Sequence, residues 1–391
     1  MKHNHWTLAL ASLGAISLGS VTYAEEQAMS QVLTAVSSTT LSGYVDTSAA
    51  WKLGGTGQSY ESGAPTSLPG RFNDGMDKMQ GFNLNVVGLT VEKPLSEEEL
   101  WAAGYRVDLL FGPDAVGYNP VSGSVGVNSD GDPASAELAI KQAYVDLLVP
   151  VGNGLDVKAG VFNTIIGYES FESYQNPNWG RSFGWQIEPT QHTGVLATYQ
   201  ITEAVSASGG LANTWMPGVD ARARAEGYFA YLGSVGVTAP DSWGALAGSS
   251  WSFGVVGGDS GNTMDTTSLY TGFNMLTGLE GLSLGAALDY RFNGPNTESV
   301  GENYAYAIAG YVSFAATEKW TINGRLDYTK GSDGTYFDSA ADEANELFAI
   351  TGTFDYQLWA NVLSRLEMRW DTSLTDDKPY ARSDKNALTL A

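Results

Sequence analysis

In five stretches of this chain a basic and an acidic side chain stand two residues apart within an alternating pattern: Arg106/Asp108, Asp156/Lys158, Asp289/Arg291, Arg325/Asp327 and Arg365/Glu367/Arg369/Asp371. Side chains two apart lie on the same face of a β-strand, so each stretch builds a strand with one charged face. The opposite face is apolar, as in Trp101, Ala103, Tyr105, Val107, Leu109 and Phe111 around the first pair. A soluble sheet turns such an apolar face to a core and its charges to water. A membrane barrel turns the apolar face to lipid and the polar face to a lumen. The pattern itself fits both arrangements, and its surroundings in the chain separate them.

The N-terminus bears on that choice. Met1–His5 is a short polar start, Trp6–Val21 is apolar and small, and Thr22-Tyr23-Ala24 places small residues at the third-last and last positions before Glu25. Residues 1–24 therefore read as a secretory signal peptide cleaved after Ala24, residues 25–40 as a polar lead segment, and residues 41–391 as one β-barrel domain. The apolar run is shorter than the roughly 20 residues a transmembrane helix needs, and no other segment approaches that length. Beyond Ala24 the chain carries 19 basic and 43 acidic side chains. So acidic a chain does not suit nucleic acid as a partner, nor anionic lipid through a basic patch. It has no cysteine, so packing and backbone hydrogen bonds must hold the exported protein together. Plentiful glycine, tyrosine and tryptophan (47, 20 and 11 residues) suit a sheet protein with interfacial aromatic girdles, although a lectin-like sandwich would share them.

Alternation predicts sixteen strands. The first eight are Leu41–Leu53, Phe82–Val91, Leu100–Phe111, Leu138–Val149, Leu155–Phe162, Thr193–Tyr199, Ala204–Asn213 and Gly227–Val237. The second eight are Ser250–Val256, Leu269–Met275, Leu282–Phe292, Tyr304–Phe314, Trp320–Tyr328, Leu347–Tyr356, Val362–Asp371 and Ala387–Ala391. The phase changes near Val86-Val87, which suggests a bulge. Long and short connections take turns: residues 54–81, 112–137 and 163–192 are long, whereas 92–99, 150–154 and 200–203 are short. Later, 293–303, 329–346 and 372–386 are longer than 276–281, 315–319 and 357–361, and only Thr238–Ser249 falls on the short side without being short. An up-and-down outer-membrane barrel has short periplasmic turns and long external loops. A sandwich has no reason to sort its loops by parity. The expected fold is an all-β, antiparallel transmembrane barrel of about sixteen strands (between 14 and 18).

On that fold the charges of Lys52, Arg106, Asp108, Asp156, Lys158, Asp289, Arg291, Arg325, Asp327, Arg365, Glu367, Arg369 and Asp371 line the pore wall. With Asp46, Asp146 and Asp355 the wall holds seven basic and nine acidic groups, so most of the excess acid belongs to loops and mouths. Lys141 falls on the opposite phase and is left out. Surface salt bridges on an ordinary sheet are the plain alternative. Leu109 and Leu326 should face lipid, and Gly104 and Asn323 the lumen. The third long connection, Asn163–His192, is unusually aromatic and charged, with Glu169, Glu172, Trp179, Arg181 and Trp185 as candidate constriction residues. Such rings need something to pack on: the inside of the barrel, its mouth, or a neighbouring protomer. Arg181 at a narrow point would favour anions.

His192, the one histidine beyond Ala24, and nearby Ser182 lack the rest of a catalytic triad. Asn128–Asp132 is acidic but lacks the closing Glu of an EF-hand loop. No metal-ligand spacing or phosphate-binding turn appears. No enzymatic activity, cofactor or metal is expected.

One segment resembles the OmpL-like family of outer-membrane β-barrel porins. It comprises Ile140-Lys-Gln-Ala-Tyr-Val-Asp-Leu-Leu-Val-Pro, Val151-Gly-Asn-Gly-Leu-Asp-Val-Lys-Ala-Gly-Val-Phe and Asn163-Thr-Ile-Ile-Gly-Tyr-Glu, with His192-Thr-Gly further on. Arg365-Leu-Glu-Met-Arg-Trp-Asp is similar to that family's penultimate strand. The resemblance implies a diffusion channel in a Gram-negative-type outer membrane, with no catalytic residues to carry over. One departure is that such barrels usually end in an aromatic residue that the insertion machinery reads. This chain stops at Thr389-Leu390-Ala391, which leaves closure of the barrel for the structure to decide.

The expected function is therefore that of an outer-membrane porin for passive diffusion of small hydrophilic solutes or ions, with modest cation preference. Its partners would be outer-membrane lipid, those solutes and the barrel-insertion machinery, with homo-oligomerisation left open. The alternatives are a plugged barrel with a structural or surface role and a secreted soluble carbohydrate-binding β-protein.

Overall fold

The computed structural model describes residues 38–53, 81–96, 99–118, 126–127, 133–134, 138–223, 227–260, 265–294, 304–332, 345–376, 378, 380 and 385–391. The signal peptide, most of the lead segment and Asn128–Asp132 lie outside them.

Among the described residues eighteen strands form: β1 (Thr40–Leu53), β2 (Gly81–Lys93), β3 (Ala102–Phe111), β4 (Gly126–Val127), β5 (Pro133–Ala134), β6 (Leu138–Val149), β7 (Leu155–Asn163), β8 (Gln191–Gln200) and β9 (Val205–Ala212), followed by the second nine. These are β10 (Ala230–Thr238), β11 (Ser250–Asp259), β12 (Asp265–Leu276), β13 (Leu282–Asn293), β14 (Tyr304–Ala315), β15 (Trp320–Gly331), β16 (Glu346–Trp359), β17 (Val362–Ser373) and β18 (Asn386–Leu390). β4 and β5 pair only with each other, and the other sixteen close into one antiparallel barrel.

Closure runs through the short last strand. β18 pairs with β17 from Met368↔Leu390 to Thr372↔Asn386 and with β1 from Trp51↔Leu390 to Leu53↔Leu388. The Ala391 and Glu367 backbones exchange hydrogen bonds of 2.8 and 2.9 Å. The barrel thus closes through β18, paired to both β17 and β1.

The two faces sort as the alternation requires. Val45, Leu326, Leu366 and Met368 are each more than half exposed on the outside, whereas Arg325 and Asp371 on the inside are 1% and 0% exposed. Rings gather at both rims, as for Trp320–Tyr356 at the short-turn end and Tyr290–Phe292 and Tyr306–Tyr328 at the other. A row of large apolar groups between two aromatic belts is the surface a bilayer requires.

Two bulges set which groups face inward. Asp46 pairs with Val86 but Thr47 with Leu84, so Asn85 is the extra residue of β2, where the sequence phase changed. Its buried amide donates to Asp46 Oδ1 (2.8 Å) and accepts from Ser48 Oγ (3.0 Å), so the bulge leaves that side chain bonded. Asp108 pairs with Gln142 but Leu109 with Ile140, so Lys141 is the extra residue of β6. That shift turns Lys141 inward, against the expectation from its phase, and it is buried. A bulge moves one residue to the opposite face, which a fixed period-two count cannot anticipate.

Most strands run further toward the long loops than alternation alone shows. β10 instead starts late, at Ala230, three residues after Gly227, which has a positive φ of 86°. The parity of the links has a second exception, since only residues 260–264 join β11 to β12. Thr238–Ser249 holds a 3₁₀ segment, Asp241–Leu246.

Candidate functional site: a loop tied across the lumen

The connection between β7 and β8 folds into the barrel. It leaves the wall at β7, which lies half-way round the ring from β15, and its polar groups reach β15, β16 and β17. Four charged wall residues hold it there. Arg325 uses its whole guanidinium fork: Nη1 donates to Glu169 Oε1 (2.8 Å) and the Gly180 carbonyl (2.6 Å), Nη2 to the Arg181 carbonyl (2.9 Å), and Nε to Asp327 Oδ2 (2.6 Å). Arg369 also donates to the Arg181 carbonyl and is held at 2.8 Å by Asp371. Arg365 donates to the Ser173 and Asn176 carbonyls (both 2.5 Å) and to Asp355 (2.9 Å). Glu367 accepts the backbone N–H groups of Trp179 (2.6 Å) and Gly180 (2.8 Å). Loop carbonyls would otherwise be stranded in the interior, and arginine's planar set of donors meets several at once.

The loop is held on its other side too. Glu172 pairs with Lys141 at 2.5 Å, and Ser173 donates to Asp46. Apolar packing completes the seat. Ile165, Ile166 and Tyr168 join a cluster with Leu196, Leu232, Val256, Tyr270 and Tyr311, and Phe183 and Ile187 pack on Ala305, Ala307, Leu347 and Ala349. Phe171 lies with Val86, Leu110 and Ala139. The wall is shaped for this: a Cβ on Gly254 or Gly285 would collide with Ile166 Cγ2 or the Tyr168 hydroxyl. Between the loop and β6 a cavity of about 30 Å³ remains, lined by Lys141, Glu169, Phe171, Trp185 and Glu188 among others.

Most of the expected wall residues whose side chains are described are buried or half-buried inside the barrel, in different settings. Arg325, Asp327, Glu367, Arg369 and Asp371 are buried against the loop, and Asp289 is buried beside Gly184. Arg106, Asp156 and Lys158 lie toward the short-turn end, and Asp108 is buried further up β3, where it accepts from Gln142. Arg106 bonds Asp108 (3.0 Å) and Glu92 (3.5 Å), and the Lys158 ammonium sits 5.1 Å from the Tyr144 ring centroid. Arg291 stacks at 6.0 Å from Trp215. Lys52 lies in β1, and its side chain is outside the described residues. Gly104 and Asn323 face inward as expected. Neither position is vacant: a Cβ on Gly104 would meet the Lys93 carbonyl, and Asn323 bonds Ser313 and Asp355.

Of the candidate constriction residues, Glu169 and Glu172 are anchors. Arg181 does not present its charge to a passage. It is buried, donates to the Trp179 and Phe171 carbonyls (2.9 and 2.5 Å) and lies over Trp185. Trp179 and Trp185 stay partly exposed. Glu188 was missed by sequence reading. Its carboxyl is held well above the usual range by burial, then by the carboxylates of Asp289 and Glu169. His192 is buried, bonds Thr164 (3.2 Å) and packs near Phe162, while the Ser182 N–H donates to Glu169. Both belong to the packing of the loop.

A family model described as "Putative beta-barrel porin-2, OmpL-like" matches residues 38–391. Among solved structures, the anion-selective porin from Comamonas acidovorans is 13% identical, with a TM-score of 0.58 over 90% of this chain and 97% of that one. The outer membrane channel DcaP of Acinetobacter baumannii is 12% identical, with a TM-score of 0.55 over 93% and 99%. OmpT of Vibrio cholerae is 11% identical, with a TM-score of 0.51 over 90% and 96%. At such identities the likeness is one of fold. Comparison by sequence matches no curated protein.

Proposed function

This chain belongs to the OmpL-like porin-2 family of β-barrels, and from that premise we propose that it lets small hydrophilic solutes and ions diffuse passively across an outer membrane. The observation that carries this reading is a closed barrel with a lipid-type exterior and a charged interior, narrowed by one inward loop. Such a channel does no chemistry. It offers a water path whose width and wall charge decide what passes. We further infer export through a signal peptide cleaved after Ala24, which N-terminal sequencing of the membrane-purified protein would read as Glu25.

We infer a modest cation preference. Arg325, Arg365 and Arg369 spend their donors on loop carbonyls and wall carboxylates, whereas Asp146, Asp156 and Asp289 take part in no ion pair among the described residues. Arg181, the group that would favour anions, is buried within the loop. Lys158 too makes no ion pair among the described residues, so the acidic excess in the lumen is small. Its field reaches about 10 Å at 0.1 M salt and about 3 Å at 1 M. Purified protein in a planar bilayer should show discrete conductance steps, with reversal potentials across a KCl gradient that favour K⁺ at low salt and fade at high salt. Anion preference at low salt would reject the charge argument.

The extent of loop packing favours a second reading, in which the loop plugs the barrel and the protein serves a structural or surface role. Absence of conductance from correctly folded protein would select it.

A further inference from the structure

We propose that Tyr174 is a specificity-determining residue of the inward loop, and that the solutes it favours are neutral pyranose sugars. Most rings of the loop are packed away: Tyr168, Phe171 and Phe183 are 2%, 5% and 2% exposed, and Trp179 and Trp185 are half-buried. Tyr174 is 48% exposed, yet it is firmly held. It sits in the 3₁₀ turn Ser173–Gln175, closed by backbone bonds from Gln175 to the Glu172 carbonyl and from Asn176 to the Ser173 carbonyl (both 3.1 Å). Arg365 grips the Ser173 and Asn176 carbonyls on either side of it, and the Ser173 hydroxyl donates to Asp46. The Tyr174 ring stands edge-on to Tyr44, with centroids 5.1 Å apart at 66°, and its hydroxyl accepts from Gln175 Nε2 (3.3 Å). Tyr44 itself lies on the inner wall, over Gly88, where a Cβ would collide with its ring. The open part of the Tyr174 ring therefore faces the lumen. A contact group fixed in place beforehand loses little freedom when a solute meets it.

The wall on the Tyr44 side sets the class of solute. Ser42 shares the inner face of β1 with Tyr44. Register then places Thr90 opposite Ser42, Asp108 opposite Thr90 and Arg106 opposite Glu92. Thr90 donates to Asp108 (2.8 Å), and Arg106 is shared between Asp108 and Glu92. Hydroxyls and charges of both signs thus alternate along this strip. A solute with net charge meets its like beside its opposite here, so its gain is small. A neutral polyhydroxyl solute uses both, since each of its hydroxyls donates to a carboxylate or accepts from the guanidinium. The flat C–H face of a pyranose ring matches the open face of an aromatic ring, while the polar groups fix its orientation. An open-chain polyol carries the same hydroxyls without the flat face, and so isolates the contribution of the ring.

Selection of this kind rests on the channel reading, but binding at the ring can be measured without conduction. With purified full-length protein in planar bilayers, glucose in both chambers should reduce the KCl current in a saturable way, beyond the effect of sorbitol at equal concentration. Tyr174→Phe keeps the ring and should respond as the native protein does. Tyr174→Ala should respond several-fold more weakly, with heat-modifiable gel mobility showing that the barrel is intact. Glucose acting on the native channel no differently from sorbitol would overturn the proposal. So would a full response from Tyr174→Ala, or loss of the response in Tyr174→Phe. Absence of KCl current from folded protein would reject the channel reading instead, and saturation-transfer NMR in detergent then decides the site. Transfer from the native protein to glucose that is lost in Tyr174→Ala keeps it; equal transfer in both, or none from the native protein, overturns it.

Discussion

The wall of β15–β17 and the wall of β3, β6 and β7 carry the same spacing of opposite charges and put it to different uses. On β15 and β17, Arg325/Asp327 and Arg369/Asp371 are dry, and each arginine adds loop carbonyls to its own strand's carboxylate. At the short-turn end, Arg106 remains partly exposed and Lys158 makes no ion pair among the described residues. The motif therefore specifies only that both charges face inward. Whether they become a fastening or part of a wet lining depends on what folds in against them. Burial also sets the energetic scale. Breaking a buried pair by removing one partner costs about 3–5 kcal/mol, whereas an exposed pair contributes about 0–1 kcal/mol.

The largest difference between the two walls should come from Arg325→Ala, which leaves Glu169 and Asp327 buried without their shared cation. Urea unfolding in detergent should show a loss of about 3–5 kcal/mol, with increased conductance as the loop loosens. A loss under about 1 kcal/mol would mean that this wall is as wet as the other. On the lipid side of the same strand, Leu326→Arg should cost about 2–4 kcal/mol. Ser283→Arg, at an inward position near the rim, should cost much less, and equal costs would count against a barrel in lipid.

A smaller effect is expected at Glu188. Its folded-state carboxyl binds its proton more tightly than it would in the unfolded chain. That contribution is present in acid and is lost as pH rises from the ordinary carboxylate range toward the raised folded value. Glu188→Gln, which mimics the protonated form, should therefore raise the unfolding midpoint at pH 8 and leave it unchanged near pH 4; the reverse ordering would reject the assignment. The smallest effect belongs to Lys158→Ala at the wet end, expected within about 1 kcal/mol.

Much of this architecture was legible in the sequence, because a barrel wall has a period of two and a membrane imposes one sign on it. All sixteen barrel strands were expected close to where they lie, and the bulge of β2 showed as a phase change at Val86-Val87. Lys141 was misplaced because its bulge leaves no mark in an apolar stretch. The course of the loop could not be read, because its partners are more than a hundred residues away: Glu169 finds Arg325, and Trp179 finds Glu367. One signal was available. The inner positions Ala287, Ala305, Ala307, Ala309 and Ala349 are small and apolar where a water-filled lumen would carry polar groups, and three of them receive Phe183 and Ile187.

The central claim is that this loop crosses the barrel and governs passage through it. The most direct measurement is the single-channel conductance of a protein lacking Phe171–Gly184, compared with the full chain, after heat-modifiable gel mobility has shown that the barrel still forms. The structure predicts a several-fold rise in conductance. An unchanged conductance from a folded barrel would contradict it, and would put the restriction elsewhere in the lumen.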